Sequence, residues 1–286
     1  MMRKNITKLL LSAIAVIAVL AIIMPKVVHV AGIHPDYNGE IYSIPAGKKA
    51  LIIGTNHGIL NMPGETTGDL TGAAVSEVSH PYYTFLDAGM TVDIASISGG
   101  NIPVDPQTLS RMIITDHDKR YLKDPSFQAK LRHSVPIDDI QVSDYDVIFL
   151  AGGWGAAYDL GQSALLGEKI SEAYYTDGLL IGAVCHGVLG LIKAKDKNDN
   201  LLIAGREMTG VTDKQIDELG ITATPLHPES ELRKAGAIFK SETAFLDVFA
   251  TLVSVDREKR FITGQNQNSG LEAAHKILEL IAKHSK

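Results

Sequence analysis

Short apolar runs that end on glycine constrain this chain more than any other feature. Lys49–Gly54 reads Lys-Ala-Leu-Ile-Ile-Gly, and Asp146–Leu150 reads Asp-Val-Ile-Phe-Leu before Ala151-Gly152-Gly153-Trp154-Gly155. Residues 178–184 form a third run, ending at Cys185-His186-Gly187. Runs this short with no polar alternation are strands buried on both faces. Between them lie helical spacings at Ala73–Ala88, at about 160–176 and at Gly270–Lys283. Thr91–Ile97 adds a strand, and short strands are expected at Leu201–Ala204 and within 235–255. Strands alternating with helices predict an α/β fold, a mostly parallel sheet with helices on both faces. In such sheets, ligands gather at the carboxyl ends of the strands. The loops after Gly54, Leu150 and Val184 are therefore candidate walls of one site.

The amino terminus is of another kind. Arg3, Lys4 and Lys8 precede Leu9–Met24, a run of 16 residues broken only by Ser12, and Pro25-Lys26 is expected to end it. A basic flank before an apolar run marks a signal peptide or a membrane anchor over residues 1–31. The charge bias puts the body outside the cytoplasm, membrane-anchored or secreted. Residues 32–47 are rich in turn formers and read as a linker. Residues 48–286 form one catalytic domain. Of the whole chain, 45% is apolar, enough for a substantial core, and the net charge is −6 with no basic stripe, so nucleic acid is excluded as a partner. A single cysteine permits no intrachain disulfide. Residues 101–140 read as a surface helical excursion. Asp116-His117-Asp118-Lys119-Arg120 fits no metal-ligand spacing and reads as a solvated helix face, so no metal is expected.

Chemistry concentrates at Cys185. A strand, a sharp turn and a helix would place its sulfur as a nucleophile elbow does. Helix-terminal N–H groups and the adjacent imidazole of His186 lower a thiol's pKa. The bland alternative is a buried, inert cysteine. Gly152 and Gly153 follow a strand and can offer backbone N–H groups to an oxyanion. Glu77 lies in a small, apolar stretch where a carboxyl group needs a partner if buried.

At these residues the chain resembles the ThiJ/PfpI family of the class I glutamine amidotransferase-like superfamily, and within it the chaperone-and-glyoxalase branch. The matching stretches are Thr71–Tyr83, Phe85–Pro106, Asp144–Gly155, Ala183–Gly187 and Ile262–Asn266. The resemblance implies a flavodoxin-like, doubly wound fold and a site without a cofactor. By it, Cys185 is the nucleophile, Glu77 its carboxyl partner and His186 the adjacent acid/base. Gly153 and the His186 backbone N–H bind the oxyanion, and Gly152 and Trp154 line the pocket. Relatives often carry a His where this chain has Trp154, and an indole cannot shuttle a proton. His227 and Glu229 are candidates to orient His186, against a solvated loop. The implied substrate is a small reactive carbonyl, converted from methylglyoxal to D-lactate without glutathione. A cysteine amidase or peptidase, and a holdase, deglycase or oxidation sensor, stay open beside it. The resemblance also allows a homodimer, with no interface legible.

Overall fold

The computed structural model describes residues 2–284, with side chains described from residue 11 to residue 283. Its centre is a seven-stranded sheet. In chain order the strands are β1 (Lys49–Gly54), β2 (Thr91–Ser96), β3 (Val135–Pro136), β4 (Val147–Leu150), β5 (Leu180–Val184), β6 (Val253–Val255) and β7 (Phe261–Gly264). They lie in the order β6-β7-β5-β4-β1-β2-β3, and only β6 runs antiparallel to its neighbour. The helices are α1 (Met2–Val30), α2 (Val75–Asp87), α3 (Asp116–Tyr121), α4 (Pro125–Arg132), α5 (Ala164–Tyr175), α6 (Asp213–Leu219), α7 (Pro228–Lys234) and α8 (Gly270–His284).

Alternation along β1 explains the layers. Ala50 and Ile52 face the cluster built with Phe85 of α2 and Ile277 of α8. Leu51 and Ile53 face the opposite cluster, with Leu166 and Ile170 of α5. Each face of the pleat thus meets its own helix layer. β1 pairs with β2 through Ile52↔Ile94 and with β4 through Ile52↔Phe149, and β5 follows through Leu150↔Ala183. These registers bring the carboxyl ends of β1, β4 and β5 to one edge of the molecule.

Several local expectations are corrected. Leu201–Ala204 forms a single bridge and a turn, and the short strand in that region is Glu207–Met208, paired with Ile238–Phe239. The loop at 55–72 carries a small antiparallel ribbon, Ile59–Leu60 with Asp69–Leu70. Residues 185–191 wind as a 3-10 turn, so no long α-helix follows the elbow. The excursion at 101–140 is only partly solvated. Asp118 is fully buried, accepts from Ser79 Oγ at 2.5 Å and closes a capping box with Thr115.

The segment 32–47 is pinned to the body. Ile33, His34 and Ile44 are buried, the Ile44 N–H donates to the Ala88 carbonyl at 3.0 Å, and Tyr37 stacks on His275 with ring centroids 3.8 Å apart. α1 continues through Pro25 to Val30. Its stretch Leu11–Val30 has a mean hydropathy of 2.5 and buries none of its length in the body. By length and composition it is long enough to cross a membrane.

Candidate active site

Cys185 sits directly after β5 with φ at +56°. That is the left-handed region, uncommon for a residue with a Cβ and typical of a strained nucleophile turn. The residue is only 6% exposed, yet it lines a cavity of about 380 Å³ at the carboxyl edge of the sheet. Its sulfur lies 3.4 Å from His186 Nδ1. The backbone N–H groups of His186 and Gly153 both act on the sulfur, favouring negative charge there.

Glu77 is delivered by the first turn of α2, a helix almost wholly buried over Val75–Phe85. Its carboxyl group lies close enough to the Cys185 thiol for the two to act on each other, and the Gly152 and Gly153 N–H groups bear on it more weakly. Oε2 has no hydrogen bond of ordinary geometry among the described residues. Removal from water dominates, pushing the carboxyl up from 4.5 to about 8. The thiol is likewise pushed up, first by burial and then by the charge of Glu77. The expectation of a thiol ionised at rest is therefore corrected. Elbow and imidazole are present, but burial and an adjacent carboxylate outweigh them. Both groups favour their protonated forms at neutral pH, and in the fraction of molecules with Glu77 ionised the carboxylate can take the thiol proton.

His186 is also buried, and burial drives its imidazole down to about 3, with a smaller push from His227. It is neutral and a poor base, and its Nε2 has no partner among the described residues. The Trp154 ring lies against it, centroids 4.9 Å apart. Neither proposed orienting group reaches it by hydrogen bond. Glu229 accepts from the Asp213 N–H at 3.1 Å and pairs with Arg233, while His227 Nδ1 stands 3.9 Å from Asp213 Oδ1.

The glycine pair has steric reasons. Gly153 has φ at +97°, and a Cβ there would overlap the backbone of Gly72 and Ala74. A Cβ on Gly152 would overlap Glu77 Oε2 and come within 2.8 Å of the His186 nitrogen. Gly152 is thus packed behind the carboxyl rather than set on the cavity wall, where it was expected. Cys185, His186, Glu77, Gly153 and Trp154 all line the one cavity.

Sequence reading did not place other lining residues at the site. His34 reaches the cavity from the segment read as a linker, with φ at +50° and its backbone N–H donating to Asn268 Oδ1 at 2.8 Å. Asp105 is fully buried and accepts from Thr71 Oγ1 and the Gln107 N–H, each at 2.8 Å. Its Asp-Pro pairing marks a helix cap, which is how it is used. Ser76, Gln107, Thr108, Ser110, Gln215 and Gln267 add further polar lining. Among the described residues no cluster of His, Cys, Asp and Glu could hold a metal ion.

A mostly parallel sheet with helices on both faces, and a cysteine at positive φ after a central strand beside a carboxyl from a neighbouring helix, defines an α/β protein with a candidate nucleophile elbow. The chain belongs to the DJ-1/PfpI family, whose profile matches residues 70–280. It is similar to Glyoxalase 3 of Candida albicans, 27% identical over 219 residues, covering 74% of this chain and 90% of the relative. It is similar also to a glutathione-independent glyoxalase of Saccharomyces cerevisiae, 27% identical over 244 residues, covering 82% of this chain and 99% of the relative. Among solved structures, the rapid encystment protein of Francisella tularensis matches with a TM-score of 0.74 and 31% identity, over 82% of this chain and 99% of that one. The Candida albicans glyoxalase III structure shares the fold, with a TM-score of 0.72 at 24% identity over 82% of this chain and 97% of that one.

Proposed function

We propose that this protein is a glutathione-independent glyoxalase, converting methylglyoxal to lactate with Cys185 as nucleophile and Glu77 as proton carrier. The observation that carries the reading is a buried thiol and a buried carboxyl lining one cavity and acting on each other there. Relatives named glutathione-independent glyoxalases, aligned over most of this chain, support it.

The atoms balance without a cofactor. The Cys185 proton passes to the Glu77 carboxylate as sulfur attacks the aldehyde carbon. The oxyanion forms against the Gly153 and His186 N–H groups, and Glu77 returns the proton to it, giving a hemithioacetal. Glu77, again a carboxylate, removes the hydrogen from that carbon to give an enediolate. It then delivers this proton to the neighbouring carbon, the hydroxyl proton of the first carbon passes to the neighbouring oxygen, and a thioester of lactate results. Water cleaves the thioester to lactate and restores the thiol. A carrier with a pKa near 8 suits both halves of this cycle, because general acid/base groups work best near the operating pH. His186 contributes its N–H and holds the sulfur with Nδ1, while Trp154 closes the pocket beside it. A peptidase would need an oriented, basic imidazole, and a redox sensor a low-pKa, exposed thiol. His186 and Cys185 have neither property.

The decisive experiment measures lactate formed from methylglyoxal with no added thiol. Turnover lost in Cys185→Ala and in Glu77→Gln supports the proposal, and absence of turnover by the folded full-length chain ends it.

The same proposal places the body on the extracytoplasmic side of a membrane, held by Leu11–Val30 or released from it. Support comes from the length and hydropathy of that helix and from the basic residues Arg3, Lys4 and Lys8. Extraction of cell membranes at alkaline pH, with protease added from outside, checks it. A homodimer is compatible with the cavity, whose wall residues named above come from a single chain.

A further inference from the structure

The cavity is larger than methylglyoxal needs. An engineered apolar cavity of about 150 Å³ already takes benzene, and methylglyoxal is smaller than benzene. Here the volume is about 380 Å³. Its lining also mixes chemistry. Cys185, Glu77, His186 and Gly153 supply the reactive groups. Ile113, Val211, Leu219, Ile221 and Val248 supply apolar wall that no part of a three-carbon dicarbonyl bound at the sulfur would use. A few polar groups for orientation within a largely apolar wall are the ordinary build of a site for a ligand with a polar head and an apolar tail.

Resting on the glyoxalase reading above, we propose that the cavity takes 2-oxoaldehydes carrying an alkyl tail. The dicarbonyl head meets Cys185 and Glu77, and the tail lies along Val211, Leu219, Ile221 and Val248. By the benzene comparison, the space beyond the head holds a tail of roughly six carbons. The rim is placed where such molecules would arrive. Asn268 ties it to the segment after α1, its Nδ2 donating to the carbonyl of Gly32 at 3.0 Å and to that of Val248 at 2.6 Å. Gly32 follows the last residue of α1 by two positions, so the apolar rim lies beside the helix expected in the bilayer. The reaction steps are those already described, because the tail is bonded to the far carbonyl carbon and takes no part in them.

The test is a chain-length series on the full-length protein, from methylglyoxal through 2-oxohexanal to 2-oxooctanal. The expected result is a kcat/KM that rises about two- to fourfold per added methylene until the cavity is filled, as burial of each methylene implies. Ile221→Asn and Leu219→Asn are each expected to cut the ratio of 2-oxooctanal to methylglyoxal kcat/KM by about tenfold. Leu219 is 45% exposed, so its replacement leaves the fold intact and keeps the test valid where Ile221→Asn fails to fold. Methylglyoxal turned over with a flat or falling series, or a ratio unchanged in the Leu219 variant, overturns this inference and leaves the glyoxalase reading standing. No turnover of any member, methylglyoxal included, overturns both.

Discussion

Glu77→Gln tests the buried carboxyl through stability, independently of any substrate. In the folded protein the carboxyl titrates at about 8 against an ordinary 4.5, because burial disfavours its charged form. The unfolded chain releases this proton at the ordinary value. Between the two, the folded state holds a proton that the unfolded state has lost, so stability falls as pH rises. Each pKa unit is worth about 1.4 kcal/mol. From about pH 5 to about pH 8, Glu77 therefore removes at most about 3–4 kcal/mol, a large part of a typical 5–15 kcal/mol total. The Cys185 thiol stays neutral through that window, since burial and Glu77 both raise it. Glutamine cannot ionise. Whatever its amide gains or loses in packing is constant with pH, so the difference in slope isolates the carboxyl. The assay is urea unfolding of the full-length chain in detergent, wild type beside variant, at several pH values. The variant is expected to gain on the wild type steadily as pH rises. Parallel curves would mean that Glu77 titrates in its ordinary range, and the argument for a buried proton carrier would be refuted.

Other consequences of the geometry can be checked more briefly. If catalysis needs the Glu77 carboxylate, kcat/KM for methylglyoxal rises with pH up to about 8 and then levels, read from initial rates across buffers. His34 is held down to about 4 by burial, so it destabilises the fold as pH drops from its ordinary 6.5. His34→Gln should shift the acid unfolding midpoint to lower pH, measured by circular dichroism, while a midpoint that stays put refutes this. Gly152→Ala drives a methyl group into Glu77 Oε2 and against the Val184 and His186 backbone, and should lower both kcat, at least tenfold, and the melting temperature. Gly153→Ala meets both a positive φ and two backbone neighbours, so it should cost several kcal/mol in urea unfolding as well as activity.

The sheet was legible because β1, β4 and β5 are apolar without interruption, a pattern only doubly covered strands require. β3 and the pair Glu207–Met208 with Ile238–Phe239 were not, since two residues carry no period. Pro25 was read as a stop, yet a proline costs a helix one hydrogen bond and need not end it. At the site, Cys185 and the glycines stood out through their place after strands. The role of Glu77 came through the family pattern. The protonation of the Cys185 thiol was illegible, because it depends on how thoroughly α2 and β5 shut out water. His34 was hidden for a related reason. Only tertiary packing turns a turn-rich segment into a cavity wall, here through the Asn268 side chain bonded to both His34 and Gly32.

The most direct test of a thiol and a carboxyl acting in turn on one substrate is the handedness of the product. On the proposed mechanism Glu77, fixed by its place on α2, would reach the planar enediolate from one side only. Chiral chromatography of lactate made from methylglyoxal by the full-length protein should show a single enantiomer, with none formed by Cys185→Ser or Glu77→Gln. A racemic product, or undiminished lactate from either variant, would contradict the account.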